Sequence, residues 1–180
     1  MEVIETGIQG LLIIKPKVFA DARGYFFESY NESVFKQHGI QEKFVQDNQS
    51  LSSTGVLRGL HFQAPPYDQG KLVRVINGAV LDVAVDIRKD SPTYGKHVSV
   101  ELTGENKTMF FIPSGFAHGF LTLKDNTVFS YKCTNVYHKG SEGTILWNDK
   151  YLGINWNMEE PVLSGKDLSG VTFNSFISPF

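Results

Sequence analysis

The sequence predicts an all-β fold: one sandwich or barrel with one or two short helices. Three observations predict it. Short β-rich runs recur along the chain, turn residues separate them roughly every 8–12 positions, and only one early segment carries a helical pattern. Residues 11–18 form the first run, and Pro16 hints at a sheet edge because proline donates no ladder hydrogen bond. Residues 24–30 follow. Asn31 then caps a helix, Val34 and Phe35 give it an apolar side, and Gly39 stops it. Further strands are expected at residues 44–53, 57–63, 71–77, 79–87, 97–102, 108–112 and 127–134. Turn signals fill the gaps, among them Asn77-Gly78, Ser91-Pro92 and Thr103-Gly104. A second short helix starts near Ser164 and ends by Gly170. No repeat or linker divides the chain, so residues 1–180 are expected to form one domain.

Composition narrows the function. Hydrophobic residues make up 41% and charged residues 20%, which excludes a disordered chain or a coiled coil. The 17 Lys+Arg against 19 Asp+Glu give a net charge of -2 without a basic cluster, so no nucleic-acid partner is expected. A small phosphorylated ligand stays open, since it needs only a few placed cations. Cys133 is the only cysteine, which rules out an intramolecular disulfide and a zinc knuckle. The N-terminal residues lack the basic and apolar regions of a secretory signal, and no apolar run is long enough to span a bilayer. A cytoplasmic protein without a membrane partner is expected.

The strand at residues 79–87 raises the first question about a site. Val80, Asp82, Ala84 and Asp86 share one face, opposite Leu81, Val83, Val85 and Ile87. The acidic face is either a solvated exterior or the polar lining of an interior. Three segments bear on the choice. In L-R-G-L-H-F-Q, alternation puts His61 and Gln63 on one face; Arg58 falls on the other unless Gly59 kinks the strand. A lone strand histidine is more often structural. Beside Arg58 and Gln63, and with Asp82 on a plausible neighbouring strand, His61 becomes a candidate base, because a carboxylate fixes the tautomer and steadies the imidazolium. In P-S-G-F-A-H-G-F, His118 follows a tight turn at a spacing that occurs in cupins, where the histidine is often a metal ligand; the plainer reading is an incidental histidine. In F-S-Y-K-C-T-N-V-Y, Tyr131 shares a face with Phe129 and Cys133, and its phenol suits proton donation to an enolate. The usual cupin metal pattern has a second His where Gln63 stands and a Glu near the place of Lys71. An ammonium in place of a carboxylate repels a divalent cation, so no metal is expected and Lys71 becomes a candidate oxyanion stabiliser.

These motifs, with V-F-A-D-A-R-G-Y-F-F-E, Q-D-N-Q-S, G-K-L-V-R-V, L-D-V-A-V-D-I-R, S-P-T-Y-G, Y-K-C-T, W-N-D and S-G-K-D in collinear order, closely resemble the dTDP-4-dehydrorhamnose 3,5-epimerase family. The resemblance implies a cupin-like jelly-roll barrel. It implies epimerisation at C-3 and C-5 of dTDP-4-dehydro-6-deoxy-D-glucose without a cofactor. By the same resemblance, His61 is the general base paired with Asp82, Tyr131 the general acid, and Lys71 the neighbour of the C-4 carbonyl. Asp167 matches a carboxylate that pairs with the catalytic histidine. Tyr137 packs near C-5; Arg23, Glu28, Gln46, Asn48, Arg58, His118 and Glu142 match ligand-contacting positions, Gln63 is a further binding candidate, and Phe19 matches an aromatic near the nucleotide. Family members are homodimers with exchanged N-terminal strands, so Phe19, Arg23 and Glu28 are expected at the partner's site. One departure is Gly143, where family members often carry Arg. A one-centre epimerase, a sugar-nucleotide 3,4-ketoisomerase and a non-catalytic sugar-binding cupin are the alternatives.

Overall fold

The computed structural model describes residues 1–180. Its strands are β1 (Glu2–Glu5), β2 (Leu12–Lys15), β3 (Phe19–Asp21), β4 (Gly24–Phe26), β5 (Gln46–Ser52), β6 (Leu57–Gln63), β7 (Lys71–Asn77), β8 (Ala79–Asp86), β9 (His97–Thr103), β10 (Met109–Ile112), β11 (Phe116–Thr122), β12 (Thr127–Cys133) and β13 (Glu142–Thr144). Two short helices, α1 (Glu32–Gln37) and α2 (Gly165–Leu168), complete the set. The expected all-β class holds. Six strands form one sheet in the order β1-β2-β10-β7-β12-β5, and five form a second in the order β13-β6-β11-β8-β9; the sheets stay separate rather than closing into a barrel.

Side-chain alternation explains the layering. Val73, Val75, Phe110 and Phe129 from the six-stranded sheet meet Val80, Ala84, Leu102 and Phe120 from the five-stranded one. Phe120 and Phe129 stack across this core with centroids 4.1 Å apart. Burying each such ring is worth roughly 1.5–3 kcal/mol. On the other side of β8, Val83, Val85 and Ile87 pack under the C-terminal segment through Ile145, Trp147, Leu152, Trp156 and Phe173. The outer face of the six-stranded sheet is covered near α1, where Phe35 and Ile40 pack on Ile14, Leu72, Met109 and Phe111. The acidic face of β8 is therefore interior, with Asp82 and Asp86 both fully buried. Asp86 lies outside the site; it accepts hydrogen bonds from Arg88, Ser91 and Thr93.

Local signals behave as their chemistry dictates. The Asn31 side chain caps α1 by accepting from the backbone N–H groups of Ser33 and Val34, and Gly39 takes a φ of +87° just beyond the helix. Some readings change. β2 is not an edge, because β1 pairs with its free side and β10 with the other; Pro16 lies just past its end. Only Gly24–Phe26 of residues 24–30 is strand, in an exposed hairpin with β3. The segment after the turn at Ser114 and Gly115 is the central strand β11, buried at every residue. A strand covered on both faces loses the polar–apolar alternation that announces one.

Candidate active site

A cavity of about 540 Å³ is lined from both sheets and from the α2 turn. β6 contributes Arg58 and His61, and β11 contributes His118 and Phe120. Lys71 from β7 and Tyr131 from β12 line it from the other sheet, with Glu142, Lys166 and Asp167 completing the wall. A second cavity of about 340 Å³ shares His61, Lys71, Tyr131 and Glu142, and adds Gln46, Asn48, Gln63 and Tyr137.

Arg58 and His61 reach the same cavity because the strand is bulged. His118 pairs with His61 and Phe120 with Arg58, so Gly119 alone opposes Gly59 and Leu60. The extra residue cancels the parity that would send Arg58 and His61 to opposite faces. Two glycines permit it: a Cβ on Gly59 would lie 2.5 Å from Gly119 Cα, and one on Gly119 would lie 2.8 Å from the Arg58 carbonyl oxygen. Gly59 also takes a φ of +142°.

Of the two carboxylates expected beside His61, Asp167 lies there and Asp82 does not. His61 does not pair with Asp82. In the sheet order β6-β11-β8, β11 stands between the two strands, and its His118 intercepts the carboxylate. His118 Nε2 lies 3.0 Å from both Asp82 oxygens. Burial pushes the His118 pKa down, against the pull of Asp82, so the ring is neutral near pH 7 and Nε2–H donates to Asp82. His61 Nε2 lies 2.8 Å from Asp167 Oδ1, an ion-pair contact outside the alignment of a hydrogen bond. Asp167 is buried, yet Oδ1 also accepts the Gly59 N–H at 3.1 Å, and Oδ2 accepts the Ser164 hydroxyl at 2.5 Å and its N–H at 3.1 Å. Burial alone would raise the Asp167 pKa; His61, Ser164 and the Gly59 N–H hold it well below the usual carboxylate range.

On the facing sheet, burial pushes the Tyr131 phenol up, which keeps it protonated. Burial pushes Lys71 down, while Cys133, Asp82 and Glu142 pull it back up. Glu142 accepts from Lys166 Nζ at 2.5 Å and from the Tyr137 hydroxyl at 3.2 Å. Burial would raise the Glu142 pKa, but the Lys166 contact holds it below its ordinary value. Asn48 and Gln46 bond to each other, and Gln46 accepts the Tyr137 N–H.

Gln63 reaches the smaller cavity, but its polar atoms are occupied. Its amide donates to the Tyr67 and Val136 carbonyls, and its oxygen accepts the His138 N–H. It ties two loops together rather than offering free groups to a ligand. Phe19, Arg23 and Glu28 lie outside both cavities. Phe19 is 53% exposed. Arg23 pairs with Asp21 at 2.6 Å on the exposed hairpin, and Glu28 accepts from Asn31. Lys166, Ser52 and Ser164 adjoin the site without being marked by its motifs as site residues. Ser52 accepts from Arg58 Nε at 3.3 Å and Nη2 at 3.2 Å. The S-x-x-D of a capping box signals Ser164; nothing local signals the other two.

A model of the dTDP-4-dehydrorhamnose 3,5-epimerase family matches residues 5–175. A dTDP-4-dehydrorhamnose 3,5-epimerase of Shigella flexneri is 55% identical over 174 residues, covering 96% of each chain. One from Escherichia coli K12 is 51% identical over 179 residues, covering 98% of this chain and 97% of that one. The crystal structure of a dTDP-6-deoxy-D-glucose-3,5-epimerase from Legionella pneumophila, in complex with dTDP-4-keto-L-rhamnose, superposes with a TM-score of 0.94 at 49% identity, covering 98% of this chain and 94% of that one.

Proposed function

The chain belongs to the dTDP-4-dehydrorhamnose 3,5-epimerase family, and on that premise we propose how its residues divide the work of inverting C-3 and C-5 of dTDP-4-dehydro-6-deoxy-D-glucose. Both carbons flank the C-4 ketone, so each C–H can ionise to an enolate. His61, held by Asp167, takes the proton; the C–H electron pair moves into the enolate and its charge collects on O-4. Lys71 stands beside that oxygen, where the growing enolate charge joins Asp82 and Glu142 in favouring its ammonium form against burial. Tyr131 gives its phenolic proton to the same carbon from the opposite face, and inversion results. Exchange with solvent then restores both groups.

The observation that carries this reading is that His61 and Tyr131 line one cavity from different sheets, with Asp167 of α2 beside His61. The half-buried phenol, its pKa pushed up, is a proton donor at neutral pH, and the dyad carboxylate, its pKa pushed down, is ionised. Positioned acid–base groups contribute roughly 10²–10⁴-fold, so orientation and O-4 stabilisation supply the rest. Arg58 meets the diphosphate in this reading, with Lys166, the Glu142 partner, as a second cation in the cavity wall. Asp82 serves His118, which it fixes as a neutral donor-to-carboxylate ring whose Nδ1 is left as an acceptor.

The protein acts as a homodimer in which the β3–β4 hairpin carries Phe19 and Arg23, with Glu28 beyond it, to the partner's cavity. Support comes from the hairpin itself: Tyr25 and Phe26 are 58% and 70% exposed, and none of its residues lines the cavity of its own chain. No helix is long and apolar enough to cross a membrane, and a cytoplasmic setting fits a charged nucleotide-sugar substrate. Incubation with dTDP-4-keto-6-deoxyglucose in heavy water tests the function. The reading expects deuterium at both C-3 and C-5 of the product; exchange at one carbon alone replaces it with a one-centre epimerase.

A further inference from the structure

We propose that Ser164 is a positioning residue for proton abstraction, acting through Asp167. The proposal rests on the reading of His61 and Asp167 as the base dyad.

α2 has four residues, too few to hold its own geometry. Its order comes from what anchors it. Just before the cap, Leu57 N–H donates to the Val162 carbonyl at 3.0 Å and Val162 N–H donates to the Gly55 carbonyl at 2.8 Å. The segment is thus zipped to the start of β6, the strand that carries Arg58 and His61. Ser164 then turns the chain as the N-cap, and Asp167 sits at the third helical position, which makes a capping box.

In an ordinary capping box the acid's task ends with the cap. Here one carboxylate does two jobs. Oδ2 is held by the Ser164 hydroxyl and N–H, while Oδ1 faces His61 and the Gly59 N–H. The two oxygens of a carboxylate are rigidly linked, so pinning Oδ2 fixes the rotation that aims Oδ1 at the imidazole. The hydroxyl also accepts the Asp167 N–H at 3.3 Å. Deleting it leaves the carboxylate to the Ser164 and Gly59 N–H groups, both at 3.1 Å, which loosens its rotation, and removes the shortest charge-assisted hydrogen bond from a buried anion. The helix cap and the alignment of the base are the same interaction.

Four variants test this: Ser164→Gly, Ser164→Thr, Asp167→Asn and the double variant Ser164→Gly/Asp167→Asn. Glycine removes the hydroxyl but keeps a favoured cap backbone, so the fold is retained; a thermal melt of each variant verifies it. We expect Ser164→Gly to lower kcat about 10-fold with KM changed by less than about 2-fold. Ser164→Thr restores most of kcat. The double variant is no slower than Asp167→Asn alone, because the hydroxyl acts only through that carboxylate. A folded Ser164→Gly enzyme with wild-type kcat overturns the proposal, as does a double variant whose losses multiply. Asp167→Asn turning over at the wild-type rate overturns the dyad itself, a failure separate from that of Ser164.

Discussion

Replacing Gly119 by Ala probes the feature that assembles the site. The new Cβ would stand 2.8 Å from the Arg58 carbonyl oxygen, 3.0 Å from Gly59 Cα and 3.2 Å from Leu60 Cδ2. Ordinary contact starts near 3.4 Å, and two of the three neighbours are backbone. β6 must therefore move away from β11 by several tenths of an ångström at the bulge. Overpacking of this kind costs about 1–3 kcal/mol. At this chain length each kcal/mol lowers Tm by about 2–4 °C, so a drop of roughly 2–12 °C is expected. Activity should fall further than stability. Arg58 and His61 flank the bulge, and a displacement of about 1 Å costs on the order of 10²-fold in rate. The assay is kcat/KM for epimerisation beside a thermal melt, with Gly7→Ala, where a Cβ meets nothing within 4 Å, as the control. Gly119→Ala with wild-type kcat/KM and Tm would refute the claim that the bulge sets the geometry.

The two histidine pairs separate in mutagenesis. Asp167→Asn should cut kcat by about 10²-fold or more with the fold intact, because the His61 tautomer is lost; Asp82→Asn should act on His118 and change KM more than kcat. Steady-state kinetics of both variants decides this, and the reverse pattern would make Asp82 the partner of the base. Acid stability should depend on Asp86. Burial opposes its ionised form, yet Arg88, Ser91 and Thr93 hold its pKa near about 2 against an ordinary 3.8. A depressed carboxylate stabilises the fold above pH 3.8, and that contribution, about 2 kcal/mol, is lost as pH falls towards 2. Urea unfolding of Asp86→Asn should show its deficit near pH 7 shrinking towards pH 2–3; a pH-independent deficit would contradict the linkage. Arg23→Ala should weaken substrate binding while leaving the monomer fold and its Tm unchanged, and mixing it with a His61→Ala chain should regain activity through hybrid dimers.

Much of the fold was legible because its strands are short β-rich runs bounded by Gly, Asn and Pro. The parity of residues 79–87 already placed Asp82 on the side opposite Val83 and Val85. β11 escaped because full burial erases its alternation and Gly119 interrupts its apolar run, and β1 escaped because it is only four residues long. The site was legible by residue type, less so by pairing. A sequence does not say which strand lies between two others, so the interposition of His118 between His61 and Asp82 was hidden. The bulge was half visible: Gly59 marked a place where parity could fail, and Gly119 supplied the other half. Lys166 and Ser52 were invisible because they work through tertiary neighbours, Glu142 and Arg58.

Proton exchange in the Tyr131→Phe variant tests the two-sided geometry most directly. In heavy water, His61 should still remove a ring hydrogen and return solvent deuterium to the same face. NMR of the recovered sugar should then show deuterium at C-3 or C-5 with the starting configuration kept, while His61→Ala takes up none. Inverted, deuterated sugar from the Tyr131→Phe variant, or exchange in the His61→Ala one, would contradict the account.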